Sequence, residues 1–95
     1  MRRAGKVDRN HAEIVKALRQ TGASVLSLAS VGNGCPDLLV GRRGINLLLE
    51  VKDGEAIPSK RRLTAAEHKF HAEWAGHKEV VYNATDAVRV VLQGT

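Results

Sequence analysis

Residues 34–52, Gly-Cys-Pro-Asp-Leu-Leu-Val-Gly-Arg-Arg-Gly-Ile-Asn-Leu-Leu-Leu-Glu-Val-Lys, constrain the fold more than any other stretch of this chain. They read as a tight turn, a short apolar strand, a reversal at Arg42 to Gly44 and a second strand. Asp37 opens the first strand behind Pro36, which has no N–H to offer a ladder. Glu50 and Lys52 close the second. Two residues apart in a strand, they share one face, while Leu47, Leu49 and Val51 share the other. The run 45–51 is otherwise apolar on both faces, which predicts a central strand covered on each side. Three charges at the ends of two mostly buried strands cost free energy unless something compensates them. A divalent cation between Asp37 and Glu50 would do so. A surface hairpin with Asp37 paired to Lys52 in water is the other reading.

Composition limits what surrounds this hairpin. Ninety-five residues predict one domain with a modest core. A net charge of +5 and an isoelectric point near 9.9 favour an anionic partner, nucleic acid before a membrane surface. The basic candidates for that contact are Arg42, Arg43, Lys60, Arg61 and Arg62. Phe70, Trp74 and Tyr82 are the only aromatic residues, which argues against base stacking and for contact with the phosphate backbone. Cys35 is the single cysteine, so no intrachain disulfide or zinc ribbon is expected, and a reducing compartment fits. Arg2, Arg3 and Lys6 precede no apolar segment, and no run approaches the ~20 residues a membrane span needs. A cytoplasmic protein is the expectation.

Around the hairpin, residues 1–7 read as a basic arm. Asp8 or Asn10 can cap a helix to about Gln20, with Ala12, Ile14, Val15 and Leu18 as its apolar stripe and Gly22 as its stop. Residues 24–29 predict a first strand, residues 31–36 a turn and residues 53–62 a loop. Thr64 and Glu67 fit a capping box opening a helix to about Ala75, whose Ala66, Phe70 and Trp74 should face the sheet as core. His68 and His71 lie one turn apart, but a metal pair there lacks a third ligand. A strand at 79–82 and a helix at 86–92, capped by Asn83 or Thr85, complete the chain. Cys35 reads as a small filler. Gly34 suits the turn, and its missing side chain would also let a phosphate or metal approach Asp37.

Pro36-Asp37 followed by Glu50-Val51-Lys52 resembles the PD-(D/E)xK nuclease signature, and the chain is similar to the stand-alone, phage-type VRR-Nuc domains. The resemblance extends through Glu13, Val31-Gly32, Gly34, Leu63-Thr64 and Trp74-Ala75-Gly76. It implies a restriction-endonuclease-like α/β fold, α-β-β-β-α-β with a C-terminal helix and a mixed central sheet. It also implies hydrolysis of DNA phosphodiesters with Mg²⁺ or Mn²⁺. Asp37, Glu50 and the Val51 carbonyl would be the metal ligands, oxygen donors suited to these hard cations. Glu13 would reach the metal through water, although a solvated first-turn carboxylate is its plainer reading. Lys52 would orient the attacking water. Stand-alone relatives imply a homodimer with paired sites suited to branched DNA such as four-way junctions. Relatives often carry Gln at the positions of Glu67 and His68, so these two are candidate accessory residues that depart from the pattern. That departure leaves open a catalytically silent DNA-binding or assembly module.

Overall fold

The computed structural model describes residues 9–95, so the basic arm and the Asp8 cap lie outside the described residues. The elements are α1 (His11–Gln20), β1 (Ser24–Ser27), β2 (Leu38–Arg42), β3 (Ile45–Val51), α2 (Pro58–Arg61), α3 (Ala65–Glu73), β4 (Lys78–Val81) and α4 (Ala84–Gly94). The strands lie in the order β1-β2-β3-β4. The first two pairings are antiparallel and β3–β4 is parallel, so the sheet is mixed as expected. The parallel pair needs a crossover, which α2 and α3 supply. Among the described residues no helix is long and apolar enough to cross a membrane.

The reversal between β2 and β3 is a two-residue loop, Arg43-Gly44, with both residues at positive φ. That is the primed turn whose twist matches paired strands. β3 is central, and Leu47, Leu49 and Val51 turn to one face as the alternation predicts. There they meet Ile14 and Leu18 of α1 and Ala87, Val90 and Val91 of α4 in one core. The α1 stripe contracts to Ile14 and Leu18, with Val15 at its margin and Ala12 exposed. Asn83 rather than Thr85 caps α4, accepting from the Asp86 N–H at 2.7 Å.

Five expectations are corrected. Asn10 stands at the start of α1 but does not cap it. Its amide nitrogen instead donates to the carbonyls of Lys52 and Tyr82, tying the helix to the ends of β3 and β4. The expected loop at 53–62 contains the single turn α2, begun by Pro58 at a position where its missing N–H costs nothing. β1 stops at Ser27, and α3 stops at Glu73 with Trp74 as its C-terminal cap. The fifth is the largest. Ala66, Phe70 and Trp74 are not core: α3 has no buried residue, and Trp74 is 47% exposed and stacked on Phe70. The cause lies beneath the helix, where the second face of β3 presents Leu48, Glu50 and Lys52. A helix over two charged side chains has little apolar surface to bury.

Candidate active site

β2 begins where β3 ends, because the pair is antiparallel with Leu38 opposite Leu49. Asp37 therefore stands beside Glu50 and Val51. Its Oδ2 accepts the Val51 N–H at 2.7 Å, while its own carbonyl accepts the Leu28 N–H. Val51 thus enters the site through its amide. Glu50 is 1% exposed, and its Oε1 has no hydrogen-bond partner. Its carboxyl is pushed up to about 10, first by burial, then by the hydrogen bond and charge of Asp37 and the charge of Glu67, against the pull of Lys52. Two adjacent carboxylates cannot both ionise cheaply in such a place. The buried orphan oxygen and the paired acids are the donor set a hard divalent cation would satisfy, so the residues present fit one.

Lys52 is 8% exposed, and its Nζ lies 2.7 Å from Glu67 Oε1. The same oxygen accepts the Thr64 N–H at 2.8 Å, and the Thr64 hydroxyl accepts the Glu67 N–H, so the expected capping box is formed. Burial is the largest influence on Glu67 and raises its pKa. The Lys52 ammonium and the Thr64 amide outweigh it and hold the carboxyl below its ordinary value. His71, one turn further along α3, turns its Nε2 to Glu50 Oε1 at 3.8 Å, too far for a hydrogen bond. That nitrogen is also buried and unpartnered. Burial lowers the His71 pKa, with Lys78 adding to the shift.

Asp37, Glu50, Lys52 and Glu67 are therefore brought together. Other candidates are not. Glu13 is exposed on α1 and lines a hollow with Arg9, Asn10, Asp53, Glu55 and Tyr82, where Arg9 pairs with Asp53. Arg42 and Arg43 sit at the opposite end of the β2–β3 hairpin, roughly 17 Å along the strand by its rise per residue. Arg42 donates there to the Thr95 hydroxyl. Lys60 and Arg62 are exposed, and Arg61 bonds the carbonyl of Gly54, so this triplet belongs to the Lys52 end of the sheet. His68 is exposed. Among the described residues no three His, Cys, Asp or Glu side chains converge as a ready-made metal cluster. The Cys35 thiol is raised by burial and by the nearby Glu50 and Asp37, which suits a filler and not a nucleophile.

Gly34 is needed for a reason other than ligand approach. At φ +79°, a Cβ there would lie 2.2 Å from the Ala66 carbonyl oxygen, so the missing side chain seats α3 against the turn before Asp37. His71 was the residue sequence reasoning passed over as a site member. Its signal was the four-residue spacing from Glu67, which matches the two-residue spacing of Glu50 and Lys52 on the strand below.

No family model matches the chain, and no curated protein matches it. Among solved structures, one described as a VRR_NUC domain is similar over 93% of this chain and 100% of its own, with a TM-score of 0.61 at 24% identity. The two share a fold, and the expected α/β architecture is borne out.

Proposed function

We propose that this chain, built on the fold of a VRR_NUC domain, is a metal-dependent nuclease that hydrolyses DNA phosphodiesters. The observation that carries the proposal is the buried Glu50 carboxyl beside Asp37, with an unpartnered oxygen and with Lys52 on the same strand face. Asp37 and Glu50 would hold Mg²⁺ or Mn²⁺, joined by the Val51 carbonyl. A bound divalent ion would supply positive charge against the negative charge that develops on the phosphoryl oxygens. Lys52 brings an ammonium to the attacking water and the phosphate, a contact worth most in the transition state. Glu13 remains a candidate only through water, since it makes no direct bond to the pair.

Calorimetric titration with Mn²⁺ should show binding in the wild type and a large loss in Asp37→Ala. A plasmid or four-way junction should be cut in Mn²⁺ and spared in EDTA. Lys52→Ala should keep the metal and slow single-turnover cleavage on the order of 10²–10³-fold. Equal Mn²⁺ affinity in wild type and Asp37→Ala would remove the metal assignment. The second reading, a DNA-binding module that does not cut, is favoured by Glu67 and His68 standing where the resemblance implies Gln. Binding without cleavage in the same assay would select it.

DNA contact is assigned mainly to Lys60, Arg61 and Arg62, with Arg42 and Arg43 reaching only a duplex that extends along the hairpin. Each phosphate contact should add ~0.9 to the slope of log affinity against log salt. Removing Lys60 and Arg62 should therefore lower the slope by about 2, and an unchanged slope would show that they only solvate the loop. The exposed Trp74, stacked on a half-buried Phe70, and the exposed Leu92 offer apolar surface for a homodimer, which light scattering at micromolar concentration would show or refute.

A further inference from the structure

Helix α3 contributes no buried residue, yet two local features fix where it starts. Gly34 admits its first turn to near contact, and the Thr64–Glu67 box closes its start. The face it turns to the sheet carries Glu67 and His71. Four residues of helix rise ~6.0 Å and two residues of strand ~6.6 Å, so this pair can address Glu50 and Lys52 simultaneously. The observed contacts do so in antiparallel sense: Glu67 with Lys52 at 2.7 Å, His71 with Glu50 at 3.8 Å. One end of the match is already bonded. At the other, a buried nitrogen and a buried oxygen face each other with no other partner.

We propose that α3 is a clamp on the site, with Glu67 and His71 positioning Lys52 and Glu50 respectively. The inference rests on the nuclease reading. Glu67 fixes the ammonium by sharing one carboxylate oxygen between Nζ and the Thr64 amide, so the lysine is anchored through a helix cap to the backbone. His71 donates from Nε2 to one lone pair of Glu50 Oε1 once the pair closes by under 1 Å, and the second lone pair of that oxygen stays open to the cation beside Asp37. Partners of this kind orient a ligand without touching the metal, and their loss costs ~10–100-fold in metal affinity or activity.

The test separates clamping from simple stability. Asn83→Ala removes the cap of α4, the helix packed on the other face of the sheet, so it should lower the melting temperature and leave the single-turnover rate of folded protein unchanged. Glu67→Ala should lose comparable stability and slow cleavage ~10–100-fold. Glu67→Gln keeps an oxygen for both Lys52 and Thr64 and should recover most of the rate. His71→Ala should weaken Mn²⁺ binding ~10–100-fold by calorimetry, and His71→Gln, whose amide nitrogen reaches a similar distance, should restore part of it. Equal rates in Asn83→Ala and Glu67→Ala, or unaltered Mn²⁺ affinity in His71→Ala, would overturn the clamp while wild-type activity stands. A wild type that neither binds Mn²⁺ nor cuts would instead overturn the nuclease reading, and the clamp with it.

Discussion

Glu50→Gln should raise the melting temperature of the metal-free protein at pH 8 while abolishing Mn²⁺-dependent cleavage. In EDTA the folded protein holds a Glu50 carboxyl whose pKa is pushed up to about 10, against 4.5 as the ordinary value. Below pH ~4.5 both folded and unfolded chains carry the proton, and the group costs nothing. Above that, the unfolded chain releases it and the folded chain keeps it, so stability is lost progressively as pH rises through about 10. The limiting slope is ~1.4 kcal/mol per pH unit, which makes the effect a few kcal/mol at pH 8. Gln is neutral at every pH and removes this slope. Glu67 works in the opposite direction: its carboxyl is held low, so its contribution is present at neutral pH and lost on acidification.

A cation at the site replaces the proton, so saturating Mn²⁺ should flatten the wild-type profile and leave Glu50→Gln unaffected. Cleavage should fall by more than the ~10²-fold typical of removing a mere supporting partner. Melting temperatures from pH 5 to 9, with EDTA and with Mn²⁺, measure all of this. Parallel pH slopes in wild type and Glu50→Gln would show that the carboxyl is not held protonated by its surroundings.

Gly34→Ala should be the most damaging single methyl in the chain. Its Cβ would sit 2.2 Å from the Ala66 oxygen and 2.4 Å from the Ala66 carbon, both backbone atoms that cannot step aside without moving α3. The residue also sits at φ +79°, where a side chain adds strain of ~1–3 kcal/mol. Gly22→Ala is the control. It has φ +89° and nothing within 4 Å, so it carries the backbone strain without the collision. Gly34→Ala should lower the melting temperature further than Gly22→Ala. It should also slow cleavage, because the displaced helix takes Glu67 and His71 away from Lys52 and Glu50. Equal losses of stability and equal rates in the two variants would mean that the seat of α3 does not matter.

The local pattern of this chain determined its strands, its turn and the end of the sheet at which Asp37, Glu50 and Lys52 gather. Period-two alternation in β3 separates Leu47, Leu49 and Val51 from Glu50 and Lys52 without any tertiary knowledge. The Thr64–Glu67 box is a short-range contact and was equally legible, while the cap of α4 was narrowed to Asn83 or Thr85. Long-range packing decided the rest. Periodicity made Phe70 and Trp74 core, but a helix buries only what the opposing surface accepts, and the surface under α3 is charged. Arg42 and Arg43 lie close in sequence to Asp37, yet an antiparallel hairpin carries its turn to the far end. Glu67 and His71 meet Lys52 and Glu50 across separations of 15 and 21 positions, and only a seated helix makes 3.6 and 2.0 residue periods coincide there.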